Sequence, residues 1–96
     1  MKKNEVILML KKFKENNAQK YNIDEIGIFG SLARGEERAD SDIDICLKSK
    51  VADMFMLAHL KDELSEMFDR SVDIVRVREN MNPFLKNRIN KEAIYV

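Results

Sequence analysis

The chain has 96 residues, of which 45% are hydrophobic and 35% are charged. A chain of this length buries one hydrophobic core, so we expect a single domain over residues 1–96 and exclude a second one. Its 17 basic side chains are matched by 17 acidic ones. The protein therefore lacks the excess positive charge with which nonspecific nucleic-acid binders neutralise phosphates.

Helical and extended patterns alternate along the chain from its first residues to its last. The helix pattern of the first segment has Val6, Leu10 and Phe13 on one side and charged residues on the other. The predicted elements are a helix over 3–18, a strand over 23–29, a short helix over 31–34 with Ser31 as its N-cap, a polar loop over 36–41, a strand over 42–47, a helix over 51–68, a strand over 71–77, a helix over 83–91 that Asn82 caps, and a short strand over 93–96.

Alternation of this kind predicts an α/β (α+β) domain in which helices pack against one small mixed β-sheet. The apolar stripe of the longest helix contains Met54, Leu57, Leu60, Leu64 and Met67. We expect all five phenylalanines in the core, and Tyr21 and Tyr95 at half-buried surface positions.

The single cysteine and the N-terminus bear on where the protein resides. Cys46 excludes an intrachain disulfide, and its place between Ile45 and Leu47 predicts a small buried hydrophobe. The N-terminus is charged and amphipathic, unlike a signal peptide, and no apolar stretch is long enough to cross a membrane. These features predict a cytoplasmic protein without membrane contact.

Three aspartates on two neighbouring predicted strands form the first candidate site. Asp42 and Asp44 lie two apart, so their carboxylates project from the same face of a strand. Two unit charges about 4 Å apart repel by about 4 kcal/mol at an effective dielectric constant of roughly 20. Asp73 lies in a strand whose apolar neighbours predict an interior position, where an uncompensated charge is costly.

Magnesium would remove the repulsion between these carboxylates. It takes carboxylate and phosphate oxygens, and two such ions can hold the attacking and leaving oxygens of a displacement. We therefore expect Asp42 and Asp44 to hold metal and triphosphate, and Asp73 to complete a second metal site and help deprotonate an attacking hydroxyl. The alternative is that Asp42 and Asp44 line the solvent face of an edge strand and that Asp73 lies exposed.

Gly30 and Ser31 form the second candidate feature, at a strand-to-helix turn. Glycine lets backbone approach a ligand closely, and N–H groups at the start of a helix attract anions such as a triphosphate. The alternative is a plain turn with a helix cap. Gly30 and Gly35 also have the spacing of P-loop glycines, but the two glutamates at 36–37 stand where that motif needs Lys and Ser or Thr, which excludes it.

The motifs Gly30-Ser31-Leu32-Ala33-Arg34-Gly35 and Ser41-Asp42-Ile43-Asp44-Ile45 resemble the signature of the polymerase-β-like nucleotidyltransferase superfamily. The resemblance extends over nearly the whole chain. It is strongest to the minimal nucleotidyltransferases, small single-domain proteins that act as antitoxins of HEPN-domain toxins.

The resemblance implies a role for each motif residue. Gly30 and Ser31 would bind nucleotide phosphates, Asp42 and Asp44 would ligate Mg²⁺, and Asp73 would be the third catalytic carboxylate. Arg34 would reach a phosphate, contact the Asp42 loop, or pair with a nearby acid. Leu32 departs from many relatives, which have a basic residue there, so part of the attraction for phosphate is missing.

The implied activity is transfer of AMP from ATP to a tyrosine of a HEPN toxin, which neutralises the toxin. An alternative is a noncatalytic nucleotide-binding antitoxin that neutralises its partner by covering it. A third possibility, transfer to a small-molecule hydroxyl, is disfavoured because the chain has no further domain to hold one. The basic excess over 76–96 would be part of a partner interface or a solvated face.

Overall fold

The computed structural model describes residues 1–36, 38, 41–51 and 53–96. Four helices and four strands alternate along this part of the chain. They are α1 (Lys3–Asn17), β1 (Glu25–Phe29), α2 (Gly30–Ala33), β2 (Ile43–Lys48), α3 (Met54–Phe68), β3 (Val72–Arg76), α4 (Pro83–Glu92) and β4 (Ile94–Tyr95). Residues 37, 39 and 40 of the predicted polar loop, and residue 52 of the predicted long helix, lie outside the described residues.

The strands form one mixed sheet in the order β3-β2-β1-β4. β1 is antiparallel to both β2 and β4, whereas β2 and β3 are parallel. Parallel neighbours need a long connection, and α3 provides it. The predicted class, a small mixed sheet with helices against it, is confirmed.

Each face of the sheet packs against different helices because side chains alternate along a strand. Ile43, Ile45 and Leu47 point into the main core, which also contains apolar residues of α1 and α3. Cys46 points to the other face, where it packs in a smaller cluster with Ile89 of α4. Asp44 lies two residues before Cys46 on the same strand, so its carboxylate belongs to the face that α4 covers.

Two predicted helix starts are wrong for local reasons. Ser31 is not an N-cap, because α2 begins at Gly30 after Phe29 and has no side-chain cap. The long helix begins at Met54, where the Asp53 carboxylate accepts hydrogen bonds from two backbone N–H groups of the first turn. The predicted Asn82 cap with proline at the first helical position is confirmed.

Several burial predictions are also wrong. Phe55 and Phe84 are 83% and 82% exposed, and Met54 is 84% exposed, because each lies in the first turn of its helix, before the helix meets the sheet. Tyr21 is buried instead of half-buried. Cys46 is fully buried, as predicted.

β3 is an edge strand instead of an interior one, and Asp73 is exposed. Its two apolar neighbours, Val72 and Ile74, pack with the main core while the Asp73 side chain stays exposed, so burial alone does not require a cation beside it. None of the helices in the described part of the chain combines the length and the apolar character needed to cross a membrane.

Candidate active site

The sheet brings Asp44 and Asp73 together. They are directly paired in the parallel register of β2 and β3. Asp42 lies two residues before Asp44, immediately ahead of β2. Because side chains on one face repeat every second residue, the three carboxylates belong to the same edge of the same face.

The Gly30 corner lies against this acidic cluster. Phe29 pairs with Asp44 across β1 and β2, so the chain turns into α2 directly beside that carboxylate. Gly30 has a φ of +76°, and a Cβ atom added to it would lie 2.2 Å from the Asp44 Oδ2 atom. Only glycine allows backbone and carboxylate to approach this closely without displacement. The Gly30-Ser31 turn and Asp44, which the sequence analysis gave as parts of two separate features, therefore lie together.

Asp44 lies in an environment that penalises its negative charge. Burial raises the pKa of its carboxyl, and the nearby carboxylates of Asp73 and Asp42 raise that pKa further. Arg88 and Arg34 act in the opposite direction. Asp44 is thus a partly buried acid between two other acids and two guanidinium groups.

The oxygen donors of this cluster suit a hard divalent cation such as Mg²⁺. A cation would offset the repulsion that raises the pKa of Asp44, so the residues present fit the predicted metal. Among residues 1–36, 38, 41–51 and 53–96, however, no three Asp, Glu, His or Cys side chains are gathered closely enough to hold an ion. Asp73 instead places its Oδ1 atom 4.0 Å from the Lys61 Nζ atom. The roles predicted for the three aspartates stay predictions.

Glu92, at the end of α4, is a site residue that the sequence analysis did not identify. Its Oε2 atom accepts a hydrogen bond of 3.1 Å from the Gly30 backbone N–H, and its Oε1 atom accepts one of 2.8 Å from the Arg34 Nη1 group. Arg34 also donates to Glu36. Of the three roles considered for Arg34, pairing with nearby acids is the one present in the structure.

These contacts change the expected phosphate site. The Gly30 N–H is directed at Glu92, and α2 has only four residues. Such a short helix supplies little of the macrodipole that was expected to attract an anion. Phosphate binding at this corner would have to depend on the Ser31 backbone and hydroxyl groups and on neighbouring cations.

Arg70 organises the other side of the cluster. Its Nη2 group donates to the Ser41 carbonyl oxygen and, over 2.9 Å, to the Arg38 carbonyl oxygen, so it holds the segment that leads into Asp42. An open cleft of about 590 Å³ lies between α3 and the β3 edge. Its lining includes Asp42, Asp73, Lys61 and Arg70. The Asp42 and Asp73 carboxylates can therefore be reached from outside through this cleft.

Comparison with known proteins gives one family. The family model described as polymerase beta nucleotidyltransferase matches residues 11–96. A Methanocaldococcus jannaschii relative assigned to the protein adenylyltransferases is 33% identical over 93 residues, which cover 96% of this chain and 95% of the relative.

Solved structures show the same fold. The structure of a minimal nucleotidyltransferase matches with a TM-score of 0.79 and 28% identity, covering 98% of this chain and 95% of the other. A structure of the tri-AMPylated Shewanella oneidensis HEPN toxin in complex with MNT antitoxin contains a chain that matches with a TM-score of 0.71. That match has 20% identity and covers 97% of this chain and 70% of the other.

Proposed function

The chain belongs to the polymerase beta nucleotidyltransferase family, and on this premise we propose that it transfers AMP from ATP to a tyrosine hydroxyl of a HEPN-domain toxin, with Mg²⁺ as cofactor, and so acts as an antitoxin. One observation carries the proposal: Asp44 lies against the Gly30 corner and is paired with Asp73 across neighbouring strands. A carboxylate pair beside a backbone turn is the arrangement that nucleotidyl transfer needs.

The nucleotide would bind between the corner and the acidic cluster. Ser31 would donate hydrogen bonds to phosphate oxygens, while Gly30 keeps the backbone close enough to Asp44 for one ligand to touch both. Arg34 would supply positive charge at the same corner. Asp42 and Asp44 would hold Mg²⁺, which when bound neutralises the triphosphate and the developing charge on the attacking and leaving oxygens.

Asp73 is suited to take the proton of the acceptor hydroxyl. Its side chain is 56% exposed on the edge strand, so a hydroxyl brought by another protein can reach it. In the proposed reaction the acceptor oxygen forms a bond to the α-phosphorus of ATP, and the bond from that phosphorus to the bridging oxygen breaks. Pyrophosphate leaves, and the hydroxyl proton passes to the Asp73 carboxylate.

The cleft beside Asp73 supports a macromolecular acceptor. It is open to solvent and most of its lining residues are polar. An acceptor hydroxyl that another protein presents can therefore reach the Asp73 carboxylate. The AMPylated HEPN toxin in complex with the Shewanella antitoxin, and the assignment of the Methanocaldococcus relative, support a HEPN toxin as that acceptor.

Position-specific labelling of ATP tests this reaction. With a purified HEPN-domain partner and Mg²⁺, label at the α-phosphate should move to the partner and label at the γ-phosphate should not. Peptide mass analysis should locate the added AMP on a tyrosine. Label transferred from the γ-phosphate would indicate phosphoryl transfer and would refute the proposal.

A matched set of aspartate variants separates chemistry from occlusion. The D42N/D44N double variant should transfer no label, whereas D62N, at an exposed position of α3, should match the wild type. If D42N/D44N transferred label as well as the wild type, these aspartates would not be the catalytic ones. If it transferred none but still neutralised the partner in cells, neutralisation would occur by occlusion.

A further inference from the structure

Glu92 connects α4 to the Gly30 corner across a long stretch of sequence. Its carboxylate accepts hydrogen bonds from Gly30 and Arg34, which precede it by 62 and 58 residues. Its Oε2 atom also lies 3.8 Å from the Arg88 Nη2 group, one turn earlier on α4. The Glu92 side chain is only 19% exposed, whereas Arg34 and Arg88 are 42% and 53% exposed.

This set of contacts ends at the acidic cluster. Gly30 donates to Glu92 through its N–H and lies against Asp44 at its Cα, where an added Cβ atom would meet Oδ2. Glu92 and Asp44 therefore both contact the same residue of the corner. The two guanidinium groups that Glu92 contacts both act electrostatically on Asp44. One partly buried carboxylate thus contacts the backbone turn and two cations beside the proposed catalytic aspartate.

We propose that Glu92 is a positioning residue for nucleotide binding: it fixes the Gly30 corner and holds the Arg34 and Arg88 guanidinium groups where they face the triphosphate. The proposal deepens the proposed function and depends on it. Both partners are charged in the hydrogen bond between Arg34 and Glu92, whereas a glutamine acceptor would be neutral, so Glu92 holds the Arg34 guanidinium group more strongly than glutamine would. Preorganised cations bind an anion more tightly because less side-chain freedom is lost on binding.

A competing reading makes Glu92 an occupant of the phosphate site, to be displaced by nucleotide. The two readings predict opposite effects of removing its charge. A positioning residue strengthens nucleotide binding, so its loss raises the dissociation constant. An occupant competes with phosphate, so its loss lowers the dissociation constant. Its low exposure and the three residues that it already contacts favour positioning.

Nuclear magnetic resonance can observe the corner directly. The chain has three glycines, each preceded by a different residue type, and Gly30 is the one that follows phenylalanine. Labelling glycine nitrogen and phenylalanine carbonyl carbon therefore assigns the Gly30 amide signal. In E92A this signal should shift and its proton should exchange faster with solvent. In E92Q it should stay near its wild-type position, because the side-chain amide oxygen can still accept the hydrogen bond.

Calorimetric titration with MgATP then measures the effect on binding. E92Q should raise the dissociation constant by about threefold to tenfold, the range for contacts that couple neighbouring groups, and E92A by at least as much. In the transfer assay both should raise the KM for ATP more than they lower kcat. Glu79 provides the control, because it is 95% exposed and pairs with Lys86, so E79Q should bind like the wild type.

Each outcome decides between the alternatives. Unchanged or tighter binding by E92Q and E92A would overturn the proposal, and so would a Gly30 amide unaffected in E92A. A wild-type protein that bound no MgATP would overturn the proposed function instead, while the Gly30 signal would still report whether Glu92 fixes the corner. Thermal unfolding of each variant checks that the comparison is between folded proteins.

Discussion

Replacing Gly30 by alanine should separate folding from function. The residue has a φ of +76°, a conformation that costs a residue with a Cβ atom about 1–2 kcal/mol. The new methyl group would also lie 2.2 Å from Asp44 Oδ2, where ordinary contacts begin at 3.4 Å. The Asp44 carboxylate must therefore move by roughly 1 Å, and a displacement of that size at a reacting centre can lower a rate by about 100-fold.

Gly35 offers a matched control. Its φ is +75°, but a Cβ atom added to it would meet no atom of residues 1–36, 38, 41–51 and 53–96 within 4 Å. G35A should therefore lose the same 1–2 kcal/mol or so of unfolding free energy as G30A, since both pay for the same backbone conformation. Only G30A displaces the Asp44 carboxylate. Because this carboxylate is the end of a side chain, its displacement adds little to the loss of stability of G30A.

Urea unfolding followed by circular dichroism suits this comparison, because the chain has no tryptophan. The α-phosphate transfer assay gives the second readout. We expect two equally destabilised variants, of which G35A transfers AMP at close to the wild-type rate and G30A at about one hundredth of it. Equal rates in the two variants would refute the inference that the close approach of Gly30 and Asp44 matters for catalysis.

Three further predictions follow from the same contacts. D44N should abolish transfer yet unfold less readily than the wild type at neutral pH. Burial and then Asp73 raise the pKa of the Asp44 carboxyl above its ordinary 3.8, so wild-type stability falls as pH rises through that raised pKa. Urea unfolding across this range should show that the difference in stability between D44N and the wild type disappears as the pH falls towards 3.8. Mg²⁺ should raise the thermal unfolding temperature of the wild type but not of D42N/D44N, and an equal rise in both would place the ion elsewhere. Burial raises the pKa of the Cys46 thiol to about 11, so a thiol reagent at mildly alkaline pH should react with it only after unfolding, and rapid reaction of the folded protein would contradict its buried position.

Local patterns in the sequence were sufficient to predict most of the fold. Alternation along β2 and helical spacing along α1 depend on neighbouring residues, so their positions could be read directly. Element ends were less predictable. The start of α3 was placed three residues early because Asp53, which caps the helix, lies within a stretch that also fits the helical pattern.

The candidate site divides in the same way. The common face of Asp42 and Asp44 follows from the two-residue period of a strand. Their proximity to Asp73 and Gly30 depends on strand order and register. The resemblance to known nucleotidyltransferases implied that proximity, whereas the spacing of the residues alone did not. Phe55 and Phe84 were misplaced because large aromatic side chains are usually buried, while exposure depends on where the helix first meets the sheet.

Glu92 marks the limit of what local patterns can predict. It lies at the end of a charged helix among basic residues, where a glutamate is ordinarily a solvated surface residue. Its contacts with Gly30 and Arg34 exist because β4 follows α4 directly and pairs with β1, which brings the end of α4 beside the turn that leaves β1. The pairing of a two-residue strand therefore decides whether this carboxylate reaches the corner. A substitution that weakened the β1–β4 pairing should consequently disturb the Gly30 corner even though it changes none of the residues there.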